Sequence, residues 1–318
     1  MDLVGIEPTT SSMPWKRAPS CATGPLLAKP IRPSEPCRIG KVNSRLLQSD
    51  SQTAQAQTCS LDTEKRLGVQ KKSGFERIMA QLYTGTSGWA YPSWKPEFYP
   101  AKLAQTKFLS FYATQLNTVE VNFTFRQLLK ETTAQKWIAE TPASFRFGVK
   151  AHQVITHIKR LKKTEDFVPR FLATIEPLAQ AGKLGPILFQ LPPNMKADQV
   201  VLGEFLAQLP RGVAAAFEFR HDSWFTDDTF NLLKAHNRAL CVAESEERTT
   251  PDVVTAAFCY YRYRKPDYTT EERRAMVSRI REHLAAGRDV FAYFKHEETP
   301  QGAQYAVEVL REISAASG

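Results

Sequence analysis

The stretch AAAFEFRHDSW, Ala214–Trp224, decides how this chain is read. Side chains alternate along a strand, so Ala214, Ala216, Glu218 and Arg220 share one face and Ala215, Phe217 and Phe219 share the other. The second face is apolar and suits packing beneath a helix. The first carries a carboxylate and a guanidinium. Burying such charges is costly unless they are paired or used. A strand that ends this way is a candidate floor for an active site.

Seven more strands are expected around it. Leu82–Ser87, Thr118–Phe125, Phe145–His152 and Pro186–Leu191 precede it, and Arg238–Ala243, Ala257–Arg264 and Asp289–His296 follow. Helical apolar spacing runs over Lys102–Leu116, Gln127–Glu140, Asp166–Ala181, Asp198–Leu209, Thr226–His236, Thr270–Ala286 and Gln301–Ser314. The sixth and seventh strands are joined by a short connection around Pro251, with room for one helical turn. Eight strands alternating with helices between residues 79 and 318 predict an α/β, (β/α)8 TIM-barrel-like single domain. The runner-up is an open doubly wound sheet. Against it, no GxGxxG opens a helix and there is no P-loop.

Residues 1–78 read differently. They hold no sustained period, and Pro14, Pro19, Pro25, Pro30, Pro33 and Pro36 break any helix. The expectation is an unstructured segment. GIEPTTSSMPW, Gly5–Trp15, resembles translated non-coding DNA flanking transfer-RNA genes, which predicts that the initiator is Met79. The formal charge is +9, but this segment carries 12 basic and 7 acidic side chains, leaving 30 and 26 from Met79 onward. Much of the basic excess therefore lies outside the barrel, which weighs against nucleic acid as a partner. No run of about 18 apolar residues exists, so no transmembrane helix is expected. The cysteines lack close metal-ligand spacing, and there is no secretory h-region; both fit a reducing cytoplasm.

In a TIM barrel the chemistry sits at the C-terminal ends of the strands, and polar residues accumulate there. The candidates are Glu120 and Asn122, Lys150, Gln190, Glu218 with Arg220 and His221, Arg262 and Lys295, with Trp89, Tyr91 and Trp224 as aromatic walls. Glu120, Glu218 and Lys150 are the candidate catalytic groups and the others candidate binding groups. Each has a plainer reading. Lys150 and Glu218 can neutralise each other, His221 can cap a turn, and Trp224 can be core. Seven strands contributing at one mouth favour a functional site over a single buried pair.

Beyond these residues the chain resembles the YecE-like family, domain of unknown function 72. The resemblance rests on TSGWAYPSW with FYP (Thr86–Trp94, Phe98–Pro100), NTVEVNFTF (Asn117–Phe125), FGVKAHQVITH (Phe147–His157), LGPILFQLPP (Leu184–Pro193) and EFRHDSW (Glu218–Trp224). It implies a barrel with a polar pocket at its mouth and supplies no reaction. Two departures stand out. Where such proteins usually show an Arg followed closely by His-Gly, this chain has YYRYRK with Arg262, Arg264 and Lys265; where they usually have two asparagines, it has Lys295 and His296. Both imply an anionic group in the pocket.

Three functions fit. One is an enzyme, of hydrolase or lyase type, acting on a small anionic or sugar-like substrate. Glu120 and Glu218 would be acid and base, a division that needs one carboxyl held ionised and the other raised. Direct contact of either glutamate with Lys or Arg would count against it. On this reading Glu218→Gln leaves folding intact. The second is metal-assisted hydrolysis using Glu120, His152, Glu218 and His221 or His296. The third is a non-catalytic binding protein for a phosphorylated metabolite or nucleic acid. No residue pattern names a cofactor.

Overall fold

A computed structural model describes residues 80–245, 249–295 and 298–315. The expectations for residues 1–78, for initiation at Met79 and for His296 lie outside the described residues. The strands are β1 (Leu82–Thr86), β2 (Thr118–Val121), β3 (Arg146–Lys150), β4 (Leu184–Gln190), β5 (Ala215–Glu218), β6 (Ala239–Glu244), β7 (Phe258–Tyr263) and β8 (Asp289–Phe294). The helices are α1 (Phe108–Gln115), α2 (Glu131–Ala139), α3 (Phe167–Gln180), α4 (Gln199–Gln208), α5 (Asp227–Ala235), α6 (Thr270–Ala285) and α7 (Gln301–Ala315).

The strands are parallel and follow one another around a ring in the order β1-β8-β7-β6-β5-β4-β3-β2. Pairing of the first strand with the last rules out the open doubly wound sheet. The fold is the TIM-barrel type. Its core lies in two layers. Leu188, Ala216, Ala239, Cys241, Tyr260, Phe291 and Tyr293 fill the barrel interior, while a larger apolar layer separates the strands from the helices. Strand β5 divides as its alternation demands. Ala216 faces the interior, and Phe217 faces out, with ring centroids 5.2 Å from Phe189 and 6.2 Å from Phe205 of α4. Small residues inside make room for large ones. A Cβ on Gly148 would lie 2.5 Å from the Tyr293 hydroxyl.

The ring closes between β1 and β2 by side chains. Among the described residues no backbone ladder joins these two strands. Instead Asn117 Nδ2 donates to the Leu82 carbonyl at 2.7 Å and Asn117 Oδ1 accepts from the Thr84 amide at 2.9 Å. Tyr112 extends the bridge. Its hydroxyl accepts from the Thr86 amide at 2.8 Å and donates to the Thr118 carbonyl at 2.9 Å. The strands approach so closely that a Cβ on Gly85 would stand 1.9 Å from the Thr118 oxygen. Buried backbone groups must find partners, and at this seam an amide and a phenol supply them.

At the opposite end two buried cations close helix C-termini. Lys183, just before β4, donates to the carbonyls of Ile138 (2.7 Å), in the last turn of α2, and of Thr141 (2.6 Å), just beyond it. Arg238, just before β6, donates to the carbonyls of Val213, Leu209 and Pro210 beyond α4. Both use a positive charge to satisfy carbonyls that a helix end leaves unpaired.

Several boundaries differ from the periodicity. TVEVNFTF alternates throughout, yet β2 stops at Val121 and Phe123–Phe125 forms a tight 3-10 turn. Thr124 Oγ1 donates to the Lys150 carbonyl at 2.7 Å and holds the turn against β3. Helix α1 starts at Phe108 because Gln105–Lys107 winds as a 3-10 turn. No helix forms among the described residues between β6 and β7. There Thr255 Oγ1 accepts from the Leu240 amide and donates to the Arg238 carbonyl, both at 2.7 Å, so an extended segment is pinned along β6.

The seam gives a test. Asn117→Ala leaves the Leu82 carbonyl and Thr84 amide unpaired, so a loss of about 1–3 kcal/mol is expected in urea unfolding. An unchanged midpoint would show that the seam needs no side-chain bridge.

Candidate functional site at the barrel mouth

The C-terminal ends of β2, β4, β5 and β7 meet in one hydrogen-bonded cluster. At its centre is Arg262, 1% exposed. Its Nη2 donates to Glu120 Oε1 at 2.6 Å, and its Nη1 donates to Glu218 Oε2. Glu120 and Glu218 are 0% and 2% exposed, so this is a fully buried Glu–Arg–Glu triad spanning the barrel. Glu120 also accepts from Ser87 Oγ and from the Tyr260 hydroxyl, each at 2.8 Å. Gln190 Nε2 donates to both oxygens of Glu218 at 2.9 Å, and Arg220 Nε donates to Oε1 at 3.0 Å.

Buried carboxylates persist as ions only when donors surround them. Burial alone would raise the Glu218 pKa. Arg262, Arg220 and the Gln190 amide outweigh that effect and hold it down to about 2. Burial likewise disfavours charge on Arg262, yet Glu120 and Glu218 raise its pKa above the ordinary arginine value. Glu218 is thus an ionised carboxylate at neutral pH and has no proton to give. Each glutamate is in direct contact with an arginine. That geometry counts against Glu120 and Glu218 as an acid–base pair and makes them the anchors of a floor.

Lys150 behaves otherwise. Its Nζ donates to Gln190 Oε1 at 2.8 Å and lies 4.3 Å from the centroid of the Phe125 ring. Among the described residues it forms no ion pair; Gln190 stands between it and Glu218, so the two do not neutralise each other directly. Burial, then Arg262 and Arg220, push its pKa down to about 8, against the pull of Glu120 and Glu218. Beside it, burial and the charges of Lys150, Arg220 and Arg160 depress the pKa of His157, whose ring meets Phe125 at 4.9 Å. A titratable group perturbed by burial and neighbouring charge at the end of a barrel strand is a candidate functional residue.

The other expected residues divide. Asn122 stands just past β2, its Oδ1 buried and without a hydrogen-bond partner. His221 Nδ1 accepts from the Ser223 amide at 3.2 Å and caps the turn Asp222–Trp224. Trp224 is 0% exposed. It stacks on Phe219 at 4.7 Å and donates to the Met195 carbonyl at 2.7 Å, which makes it core and not mouth. Trp89 packs edge-on against Trp137, and the Tyr91 hydroxyl donates to the Ser87 carbonyl at 2.9 Å. Both brace the connection after β1. Lys295 follows β8 and is half-buried; its amide donates to the Tyr263 carbonyl at 3.0 Å. Sequence reasoning missed Ser87, although it is the next inward position after Tyr83 and Gly85. It also left Phe125 out of the site. His152 caps its own turn through Nδ1, and among the described residues no three His, Cys, Asp or Glu side chains gather as a metal-holding group. Among the same residues no helix is long and apolar enough to cross a membrane.

The fold and this site define a TIM-barrel protein whose mouth is floored by a buried Glu–Arg–Glu triad. The chain belongs to the DUF72 family, described as "Protein of unknown function DUF72", whose family model matches residues 83–317. UPF0759 protein YunF of Bacillus subtilis is 29% identical over 188 residues, covering 55% of this chain and 66% of that protein. UPF0759 protein YecE of Escherichia coli K12 is 32% identical over 145 residues, covering 45% and 50%. The chain thus spans between half and two thirds of the length of these relatives. A crystal structure of a DUF72 family protein from Thermotoga maritima is similar with a TM-score of 0.66 and 25% identity, covering 74% of this chain and 99% of that one. Another from Enterococcus faecalis gives a TM-score of 0.61 at 16% identity, covering 74% and 98%, a likeness of fold.

The geometry separates floor from working group in one experiment. The folded state disfavours protonated Lys150, so between about pH 8 and the ordinary 10.5 the unfolded chain binds more protons. The lysine's contribution to stability therefore rises with pH across that window. Lys150→Met should abolish that rise and increase stability at pH 7 by roughly 0.5–2 kcal/mol. Glu218→Gln, which strips Arg262 of a buried partner, should lose about 3–5 kcal/mol, reversing the expectation of an intact fold. Chemical unfolding measures both. A large loss on Lys150→Met would make that lysine part of the floor.

Proposed function

We propose that this barrel is an enzyme whose mouth binds a small anionic substrate against Lys150 and Arg220, and that Lys150 exchanges a proton with it. The observation that supports this most is the lysine itself. It is held at 2.8 Å by a neutral amide and is drawn down to a pKa of about 8. At pH 7 about a tenth of such lysines are neutral, which suits a general base that re-forms its acid in the same cycle. The neutral amine can also add to a carbonyl, the C=O π pair moving to oxygen, which takes up the proton that the nitrogen loses.

Charge favours an anion. Arg262 and Arg220 pair with Glu120 and Glu218, while Lys150 is held by the neutral Gln190 amide, so among the described residues the lysine meets no carboxylate directly. An incoming anion offsets the burial and the repulsion from Arg262 and Arg220 that depress Lys150. The rigid triad keeps the cations in place as the charge arrives, and preorganised charge is what stabilises a transition state in a water-poor site. The substrate's reacting atom belongs beside Nζ, over the Gln190 amide.

Competitive acetylation of all lysines across pH, read by mass spectrometry, tests the proposal. Lys150 should show a midpoint near pH 8, and inorganic phosphate should shift that midpoint upward and slow its labelling. A midpoint near the ordinary value of about 10.4, indifferent to phosphate, would remove both the anion and the lysine from the mechanism.

A further inference from the structure

Two large apolar side chains stand exposed at the barrel mouth. Phe123 is 46% exposed in the turn after β2, and Ile158 is 66% exposed at the end of the segment after β3. The other large exposed apolar residues, Val200 and Val254, lie elsewhere: one in α4, one in the β6–β7 connection. The two mouth segments touch. Phe125 and His157 meet edge to face at 4.9 Å, and Thr124 ties the first turn to the Lys150 carbonyl. Lys150 itself rests on the Phe125 ring. The exposed Phe123 and Ile158 thus belong to the two segments that meet beside Lys150, the lysine that the proposed function assigns to an anion.

The second segment is held in an unusual shape. Val154–Ile158 winds as a turn of π-helix, a rare form that is frequent at functional sites. Arg160, Leu161 and Lys163 then adopt φ of 48°, 67° and 50°, a left-handed conformation that side chains with a Cβ rarely take. Such strain persists only where surrounding structure enforces it, and it concentrates at ligand clamps. In this segment Ile158 is exposed, and Arg160 donates to Asn194 Oδ1 at 3.2 Å.

We infer that the substrate is an organic anion with an apolar or aromatic portion, its charged head on Lys150 and Arg220 and its apolar portion on Phe123 and Ile158. This rests on the anion reading above and adds the second half of the ligand. Cations recessed against a floor with an apolar lip outside match a head and a tail in that order. A bare inorganic ion leaves the lip in water. A neutral apolar molecule brings no charge to Lys150. Covering two exposed apolar side chains favours the amphiphilic ligand, because buried apolar area adds affinity in proportion.

Calorimetric titrations with inorganic phosphate, phenyl phosphate and benzyl alcohol test this on the wild-type chain and on Phe123→Ser/Ile158→Ser. Both positions are exposed, so the double variant is expected to fold. Phenyl phosphate should bind wild type at least tenfold more tightly than inorganic phosphate, benzyl alcohol should not bind measurably, and the tenfold advantage should collapse towards unity in the double variant. Equal affinity of the two phosphates in wild type, or an advantage that survives in the double variant, overturns the inference and leaves the anion reading standing. If neither phosphate binds, both fall together. A single-stranded oligonucleotide that binds while phenyl phosphate does not would overturn it in favour of a polymer.

Discussion

Arg262 is the residue on which the mouth of this barrel depends. Its guanidinium joins β2 to β5 from β7, three strands that do not pair with one another in the ring. Only arginine offers two donors in a rigid fork with no acceptor to satisfy, so one side chain can hold two carboxylates apart and in place. The arrangement is costly. Desolvating three charges takes several kcal/mol each, and the return depends on the further donors that saturate the carboxylates. Ser87, Tyr260, Gln190 and Arg220 are those donors. Removing any one leaves the others with a partly satisfied ion in a dry interior, so the floor stands or fails as a unit.

Below the floor the barrel is aromatic and small by turns. Gly148 and Ala216 give way to Tyr293 and Tyr260, and the phenol of Tyr260 is the link upward to Glu120. Above it the structure loosens into exposed turns that carry Phe123, Ile158 and Arg160. The contrast between a buried, ion-paired triad and a lysine held by one neutral amide is the physical argument for where chemistry happens. A fold alone does not assign an activity. Within a family of unknown function, that contrast is a more direct guide than resemblance.

Much of this was legible in the sequence, for identifiable reasons. Strand alternation is strict, so the two faces of Ala214–Phe219 could be read from spacing, and Glu218 fell inward as alternation required. The same rule misled at TVEVNFTF. Alternation there continues past Val121 while the backbone turns, because the Thr124 hydroxyl bonds to the Lys150 carbonyl of the neighbouring strand, 26 residues away. Core was the plainer of two readings open for Trp224, and stacking on Phe219 with a hydrogen bond to the Met195 carbonyl selects it over an aromatic wall. Which cation would pair with which carboxylate was not legible at all. Arg262 takes both glutamates, and Gln190 intervenes between Lys150 and Glu218, outcomes set by side-chain reach across a closed ring. The side-chain seam of Asn117 and Tyr112 was equally hidden, because both residues lie outside the strands they join.

The account turns on Glu218 being a permanent anion that serves the floor, with Lys150 left to do the chemistry. A carbon-13 NMR titration of the Glu218 side-chain carboxyl tests that most directly. The carboxyl should remain ionised down to about pH 2, where the surrounding arginines and Gln190 place it. A midpoint above about 5, the range of a carboxyl raised by burial for use as a general acid, would contradict the account and return the acid–base role to the glutamates.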